Sequence, residues 1–310
     1  MSRPVLIADI GASNSRLALT GADGKPRSVH TVANDTVPNL ESLLADALAA
    51  AGGRRPQAAV LGIAGPVQGD RVTVINRGWT FSSRALARKL KLKRLVVVND
   101  FEVLACALPV LRRPDLIAVG TGHGAPKERL LACGPGTGFG SALLIAGGPR
   151  PQVLASEAGH MRLGAATADE ARVIAHFLRE SGAVIVEQVL SGSGLARLHA
   201  ILSGEKKSSE AVASAARAGN TAALATAEFF LRLYGRIAGD LCLAYNARAV
   251  FLAGGVTQGL APLIPRSGFR AAFDEHAPYA DRMAQIPVHI VVREEPGLLG
   301  AAQIGRWLAR

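Results

Sequence analysis

The sequence predicts an α/β protein with mixed sheets, built as two domains. Its 310 residues are 49% hydrophobic, which is enough to bury a substantial core, and the length suits about two domains. Apolar strands alternate with helical patterns, which is typical of α/β architecture. A strand, a turn of small residues and a returning strand occur twice, near residues 4–20 and 130–146, which indicates an internal duplication.

The first half of the chain opens on this pattern, with strands at 4–10 and 16–20 around a turn at 11–15. The elements that follow are a helix at 37–51, a strand at 58–64, a helix at 83–91, a strand at 95–98 and a helix at 101–110. Pro109 and Arg112-Arg113-Pro114 mark the expected domain boundary. We predict a small domain of residues 1–110 plus 298–310, and a large domain of residues 111–297.

The second half restarts with strands at 130–133 and 142–146 around a glycine turn at 134–140. Its further elements are a strand at 151–155, helices at 168–181 and 209–247, a strand at 249–253 and a glycine-initiated helix at 297–310. Strand–turn–strand pairs beside helix–strand alternation predict sheets that mix parallel and antiparallel strands.

Several classes of protein are excluded by composition. The longest apolar runs, such as Leu95–Val98, fall far short of the roughly 20 residues that a membrane span needs. The apolar stretch near the N-terminus is too short for the core of a signal peptide. The three cysteines, Cys106, Cys133 and Cys242, give neither a disulfide framework nor a CxxC metal site. We therefore predict a cytoplasmic protein without a membrane partner.

The net charge is +11, from 35 basic and 24 acidic residues. Such an excess favours nucleic acid, an anionic membrane or anionic small ligands. The densest basic run, residues 84–94, contains no aromatic residue and no zinc or basic-zipper pattern. We expect a solvated face there and no nucleic-acid partner, with contact to a polyanion or a partner protein as the alternatives.

Neither glycine turn matches a dinucleotide or P-loop motif. Glycines 134, 136, 138 and 140 lack the GxGxxG spacing, a strand follows them, and GxxxxGK[ST] is absent. The N–H groups of a hairpin turn can instead surround a phosphate, because glycine lets the backbone approach closely. Each turn alone could be an ordinary hairpin. Two such turns, with Asp9 at the end of the first strand, indicate a magnesium–nucleotide site.

Three motifs resemble those of the actin, hexokinase and sugar-kinase superfamily, in the same order and spacing. Residues Asp9–Arg16 resemble its first phosphate motif, Gly134–Gly138 its second, and Ala253–Val256 its adenosine motif. Further segments are similar to the bacterial ATP-dependent glucokinase family: residues 76–82, 98–101, 157–160, 187–195, 267–273 and 296–300. The resemblance, from residue 5 to about 305, implies two actin-like, ribonuclease H-like α/β domains with mixed sheets and an intervening cleft.

The same resemblance implies transfer of the γ-phosphate of ATP to the 6-hydroxyl of D-glucose, at the entry to glycolysis, by a homodimer. It makes Asp100 the catalytic base. The sugar-binding residues that it implies are Asn99, Asp100, Glu157, His160 and Glu187. The nucleotide-binding residues that it implies are Asp9, Gly11, Ala12, Ser13, Asn14, Gly136, Thr137, Gly138, Gly254 and Gly255. Asp9 is also expected to hold Mg²⁺ through water.

The residue types leave structural alternatives open at these positions. Asp100 could cap the helix at 101–110, His160 could be an ordinary core or surface histidine, and Glu187 could be a solvated helix residue. The first turn also departs from the family pattern. Ser13 replaces a usual threonine and keeps its hydroxyl, whereas Ala12 replaces a usual glycine and adds a methyl group near the expected phosphates.

Other functions stay open from the sequence. The acceptor could be another hexose or an N-acetylhexosamine, and the basic charge keeps polyphosphate open as the donor. A sugar-sensing regulatory protein is a different class, since this superfamily also contains repressors. Such a sensor would need a DNA-binding extension, which we do not find ahead of the first strand, and could dispense with Asp100.

Overall fold

The computed structural model describes residues 3–11, 13–51, 55–67, 69–74, 77–123, 128–147 and 151–308. Within these ranges the strands are β1 (Leu6–Ile10), β2 (Asn14–Thr20), β3 (Pro26–Ala33), β4 (Ala58–Ile63), β5 (Arg71–Thr73), β6 (Thr80–Ser82), β7 (Arg94–Asn99), β8 (Leu116–Ala118), β9 (Arg129–Pro135), β10 (Phe139–Ile145), β11 (Gln152–Ser156), β12 (Ala249–Leu252) and β13 (Val288–Val291).

The α-helices in the same ranges are α1 (Leu40–Ala50), α2 (Ser83–Lys89), α3 (Asp100–Ala107), α4 (Ala168–Ser181), α5 (Val186–Val189), α6 (Gly192–Ser203), α7 (Ser209–Arg217), α8 (Thr221–Ala244), α9 (Gly255–Leu260), α10 (Phe269–Asp274), α11 (Ala280–Gln285) and α12 (Pro296–Leu308). Short 3₁₀ helices include Asn34–Thr36, Leu108–Val110 and Ala158–His160.

The chain divides into two compact units. The first comprises Met1–Leu111, Gly148–Val153 and Glu294–Arg310, and the second comprises Arg112–Gly147 and Leu154–Arg293. The predicted boundary after residue 110 lies one residue from the end of the first segment. The predicted large domain of residues 111–297 includes 148–153, whereas these residues belong to the first unit.

The first unit is built on a five-stranded sheet with the order β3-β2-β1-β4-β7. Strands β1, β4 and β7 run parallel, and β2 and β3 are antiparallel to their neighbours. Alternate residues of β1 enter two cores: Leu6, Ala8 and Ile10 pack with α1 and α2, whereas Ile7 packs with α3 and α12. Burial of both faces explains why β4 is continuously apolar and why β1 is apolar except at Asp9, as is usual for parallel strands.

The second unit is built on a six-stranded sheet with the order β11-β10-β9-β12-β13-β8. Strands β9, β12 and β13 run parallel, and β10 and β8 are antiparallel to their neighbours. Its core includes the fully buried aromatic side chains of α8 and α10, which are Phe230, Tyr234, Phe269 and Phe273. Both units therefore mix helices with parallel and antiparallel strands, which confirms the predicted α/β class.

The duplication is visible in the strand order. Five strands of the second sheet, β11-β10-β9-β12-β13, repeat the order β3-β2-β1-β4-β7 of the first. The backbone bond after the second parallel strand also repeats, since Ala64 N donates to Ile10 O and Ala253 N donates to Cys133 O, both at 3.1 Å. Ile10 and Cys133 are thus equivalent positions in the two copies.

Two of the predicted helices differ from the structure. The helix predicted over 209–247 is wrong, because α7 ends at Arg217 and Gly219 takes a φ of +88°. The side chain of Asn220 then caps α8 by accepting a hydrogen bond from Ala223 N. The helix predicted over 101–110 stops at Ala107, and Pro109 lies in a 3₁₀ turn instead. In both places the glycine or proline ends the regular hydrogen-bond ladder.

The basic run at 84–94 forms a solvated surface. Arg84, Arg88 and Lys89 are exposed, while Leu86 and Leu90 of the same segment are buried. Lys89 Nζ lies 2.7 Å from Glu41 Oε2, an exposed ion pair worth at most about 1 kcal/mol.

No helix within the described residues is long and apolar enough to cross a membrane.

Helix α12 allows a direct test of close packing in the first unit. A methyl group on Gly300 would overlap the backbone carbonyl of Val103 in α3, whereas one on Gly305 would meet Val5 Cγ1 at an ordinary 3.4 Å. We predict that Gly300→Ala lowers the free energy of unfolding by about 1–3 kcal/mol. Gly305→Ala should leave it unchanged or raise it by up to about 1 kcal/mol, because alanine favours helix.

Urea unfolding of both variants, followed by circular dichroism, measures the two changes. Equal destabilisation by the two substitutions would contradict the prediction, because it would show that Gly300 packs against α3 no more tightly than Gly305 packs against Val5.

Candidate active site

Two carboxylates follow parallel strands at one edge of the first sheet. Asp9 is the fourth residue of β1 and pairs with Gly62 of β4, and Asp100 comes directly after β7. The register aligns Ile10 with Ile63, and Ile63 with Asn99, so the carboxyl ends of the three strands coincide. This edge is where α/β proteins bind their ligands.

Asp100 is the first residue of α3 and is partly buried. Burial and the negative charge of Asp9 raise the pKa of the Asp100 carboxyl to about 7, against an ordinary value of 3.8. Its Oδ1 accepts a hydrogen bond from Phe101 N at 2.9 Å. A carboxyl whose pKa is raised in this way can take up and release a proton near neutral pH.

The N-cap of α3 is Asn99. Asp100 is therefore not the main cap of this helix, which was the structural alternative for it. Asn99 Oδ1 accepts from Phe101 N at 2.9 Å, and Glu102 accepts in return from Asn99 N at 3.4 Å. Asn99 Nδ2 donates to Gly65 O at 3.1 Å. A side-chain hydrogen bond from Asn99 also acts on Asp100 and lowers its pKa, against the larger effect of burial. One lone pair of Oδ1 remains, which can accept from a bound hydroxyl.

Asp9 lies against the start of α12. A methyl group on Gly297 would stand 2.6 Å from Asp9 Oδ2, so the carboxylate occupies space that only glycine leaves there. Burial raises the pKa of Asp9, and the charge of Arg16 opposes that shift. Arg16 Nε lies 3.6 Å from Glu295 Oε1.

Within the described residues, no group of three or more His, Cys, Asp or Glu side chains is placed to hold a metal ion. A single carboxylate still fits Mg²⁺, which keeps several waters and is bound mainly through substrate phosphates.

The first glycine turn is fixed by its own backbone and by a residue from the end of β3. Gly11 N donates to Asn14 O at 3.1 Å. Asn34 donates to Gly11 O from Nδ2 at 2.8 Å and to Ser13 O from its backbone N–H at 2.8 Å. Ala12 lies outside the described residues, so its predicted role stays untested.

The second glycine turn lies among three other segments of the second unit. Gly136 N donates to Gly138 O at 2.7 Å, and Gly136 O accepts from Gly192 N of α6 at 2.9 Å. Gly254 has a φ of +104°, and a methyl group there would collide with Pro135 O. The predicted adenosine motif and the predicted second phosphate motif are thus in contact, which sequence separation alone could not establish.

Glu187 links this turn to the predicted sugar segment. Its Oε2 accepts from Phe139 N at 2.8 Å, and a side chain on Gly138 would overlap its carboxylate. A methyl group on Gly159 would lie 3.3 Å from the same oxygen. Glu157 and His160, which flank that glycine, are exposed by 66% and 62%, with Glu157 Oε2 3.7 Å from His160 Nδ1. The structure therefore brings Glu187, the turn and the Glu157–His160 segment together.

Sequence reasoning missed three residues that hold these turns. Asn34 fixes the first turn. Tyr234 Oη donates to Cys133 O at 3.0 Å and Thr257 Oγ1 donates to Ala253 O at 2.8 Å, just ahead of the two motifs of the second unit. Asn34-Asp35 carries only an ordinary turn signal, and Tyr234 lies in a helix without any motif. Thr257 comes directly after the adenosine motif, but nothing in its sequence position marks its hydrogen bond to Ala253 O.

Several known proteins similar to this chain are described as glucokinases. The Glucokinase family profile matches residues 6–307. A glucokinase from Chromobacterium violaceum is 38% identical over 309 residues, covering 96% of this chain and 88% of that protein. The crystal structure of glucokinase from an Antarctic psychrotroph superposes with a TM-score of 0.86 at 30% identity, covering 98% of this chain and 99% of that one.

A more distant neighbour shows the fold alone. The ROK family glucokinase from Streptomyces griseus, in complex with glucose and AMPPNP, has a TM-score of 0.66 at 24% identity over 98% of this chain and 99% of its own.

The raised pKa of Asp100 has a consequence for stability. The folded state holds a proton that the unfolded state loses above pH 4, so stability falls as the pH rises from about 4 to about 7. Asn at this position stays neutral. We predict that Asp100→Asn is more stable than the wild type by about 4 kcal/mol above pH 7, and that this gain disappears below about pH 4.

Asp70 provides a control of opposite sign. Hydrogen bonds from Ser82, Ser83 and Arg84 lower the pKa of its carboxyl to about 2. Asp70→Asn should therefore lose stability above pH 4, with the loss shrinking as the pH falls toward 2. Urea unfolding across this pH range tests both, and a pH-independent effect of Asp100→Asn would contradict the raised pKa.

Proposed function

This chain belongs to the glucokinase family of enzymes, and we propose that it transfers the γ-phosphoryl group of ATP to the 6-hydroxyl of D-glucose. The products are glucose 6-phosphate and ADP, which is the entry step of glycolysis. The family match over residues 6–307 confirms the resemblance predicted from the motifs. The observation that carries the proposed chemistry is the partly buried Asp100, with a pKa of about 7 at the carboxyl edge of parallel strands.

Asp100 acts in this proposal as the general base. Its carboxylate accepts the proton of the 6-hydroxyl as that oxygen forms a bond to the γ-phosphorus. The bond from the γ-phosphorus to the bridging oxygen breaks, and ADP leaves with the electron pair. A pKa close to the working pH keeps a large fraction ionised while the protonated form remains stable, which is the best compromise for a base.

The sugar is held by hydrogen bonds from side chains that share or accept hydroxyl protons. We assign this role to Asn99, Asp100, Glu157, His160 and Glu187. Carboxylates and amides suit a sugar because each makes several directional bonds. A site of this kind selects strongly among sugars, since a missing hydroxyl leaves a buried polar group without its partner.

The nucleotide is bound mainly by backbone in this proposal. The residues concerned are Asp9, Gly11, Ala12, Ser13 and Asn14 in the first unit, and Gly136, Thr137, Gly138, Gly254 and Gly255 in the second. The turn N–H groups and the hydroxyls of Ser13 and Thr137 donate to phosphate oxygens. Asp9 would hold Mg²⁺ through water. Bound there, Mg²⁺ neutralises charge on the phosphates during transfer.

The cytoplasmic location and the homodimer implied by the family stay predictions. So does the cleft expected between the predicted domains. Polyphosphate as donor and another hexose or an N-acetylhexosamine as acceptor remain the alternatives that an assay must separate, and a sugar-sensing regulator remains the alternative without catalysis.

A substrate panel tests the proposed reaction directly. We expect the highest kcat/KM for glucose with ATP, and lower values for mannose, fructose and N-acetylglucosamine, because hydroxyl-specific bonds penalise each change. Release of ADP, and of sugar phosphate by a method that does not depend on ADP, measures this with every donor. A higher kcat/KM with polyphosphate than with ATP would overturn the donor, and the absence of turnover with every sugar would favour the sensor.

Removal of the base gives a sharper test. We predict that Asp100→Ala lowers kcat with glucose and ATP by at least about 100-fold, the usual contribution of a general base. Circular dichroism should show an intact fold. Asp46→Ala, on the exposed side of α1, is the matched control and should keep full activity. Near-normal turnover by the Asp100 variant would reject the assignment.

A further inference from the structure

Asn34 is one of few fully buried polar residues among those described, with 1% of its surface exposed. It begins the 3₁₀ helix Asn34–Thr36, which follows the edge strand β3. Its hydrogen bonds reach the first glycine turn on both sides: Nδ2 to Gly11 O at 2.8 Å, backbone N–H to Ser13 O at 2.8 Å, and Oδ1 from Ser15 Oγ at 2.6 Å.

These bonds hold the orientation of the peptide groups in the turn. A trans peptide is planar and its N–H points opposite to its C=O. The side chain of Asn34 bridges the two ends of the turn, at Gly11 and Ser15, and its backbone N–H fixes the Ser13 carbonyl. The N–H of the Ser13–Asn14 peptide is therefore turned away from Asn34, and it is among those that the proposed function directs at phosphate.

The residue type is specific to this task. A single short side chain must donate to Gly11 O and accept from Ser15 Oγ at the same time, and only an amide offers both functions in a fixed geometry. The carboxylate of Asp has no hydrogen to donate, and Ala has neither group. The Gly11 carbonyl would then lose its partner, and the turn would have more than one orientation available.

We infer that Asn34 is a positioning residue that preorganises the first turn for nucleotide phosphate. The inference rests on the proposed function for the identity of the ligand. A turn that is already ordered loses little conformational freedom when the ligand binds, so preorganisation is gained as affinity. Loss of the Asn34 side chain should therefore weaken nucleotide binding and leave glucose binding unchanged.

Asn34→Ala in the full-length protein tests this inference. The variant loses both side-chain bonds and keeps the backbone bond to Ser13 O. We expect KM for ATP and the Kd for ADP, from calorimetry in the presence of Mg²⁺, to rise about tenfold, mainly through loss of the bond that fixes the Gly11 carbonyl. KM for glucose should stay within about twofold of the wild type. Ser15→Ala removes the bond to Asn34 Oδ1 and leaves the bond from Asn34 Nδ2 to Gly11 O, so it should raise the Kd for ADP by only about twofold to threefold.

Asn39→Ala is the matched control. Asn39 caps the adjacent helix α1 through Ser42 N and, in the hydrogen bonds described, does not contact the turn. This variant should lower Tm while leaving the KM for ATP and the Kd for ADP unchanged. An Asn34→Ala protein with lower Tm and an unchanged Kd for ADP would show a merely structural role and overturn the inference. If Asn34→Ala does not fold, an unchanged Kd for ADP in Ser15→Ala overturns it instead.

The two proposals fail in different ways. A wild-type protein that binds ADP but does not phosphorylate glucose rejects the proposed function, while a weaker Kd for ADP in Asn34→Ala still supports the role of Asn34. A wild type that is active on glucose, with an Asn34→Ala variant of equal ADP affinity, rejects only the role of Asn34.

Discussion

Burial of two carboxylates at one edge of the first sheet is the constraint on which the proposed chemistry depends. Parallel pairing of β1, β4 and β7 brings the ends of these strands into line, and Asp9 and Asp100 lie at that edge. Burial and the charge of Asp9 together raise the pKa of Asp100 to about 7. An ionised Asp100 is costly for the folded state, and the proposed reaction uses that ionised form as its proton acceptor. The fold accommodates that cost through its apolar cores on both faces of the sheet.

Anion recognition in this chain is assigned to backbone rather than to cations. Neither Gly11–Ser15 nor Gly134–Ser141 contains Lys or Arg, although the net charge is +11. Backbone donors are useful only when their direction is fixed, and we assign that task to residues beside the turns. In the first unit Asn34 holds two carbonyls of the turn. In the second unit Gly136 O accepts from Gly192 N and Glu187 accepts from Phe139 N. The basic excess lies elsewhere, as in the exposed cations of α2.

Sequence reasoning located the elements whose pattern is local. The helix predicted at 168–181 coincides with α4, and the two strand–turn–strand pairs became β1–β2 and β9–β10. Strand β3 was missed because nearly all its side chains are exposed, so it has no apolar alternation. The motifs identified Asp9, Asp100 and the two turns as candidate site residues. They could not find Asn34, because its partners are 19–23 residues away and only the pairing of β2 with β3 brings it to the turn.

The two sheets share one strand order, and they differ in which matched positions carry polar side chains. Ile10 and Cys133 are equivalent, so the sheet registers match Asp9 with Ala132, Asn99 with Ile290, and Asp100 with Val291. The second set is apolar and almost wholly buried. An acid at Ala132 or Val291, the positions that match Asp9 and Asp100, would lie in a closed core, where burial without a partner costs several kcal/mol. The 3₁₀ helix after β3 carries Asn34, whereas the one after β11 carries His160 and follows Glu157. The strand order gives both copies the same sheet edge, and among the matched strand-end positions only those of the first copy carry carboxylates, which the proposed proton transfer uses.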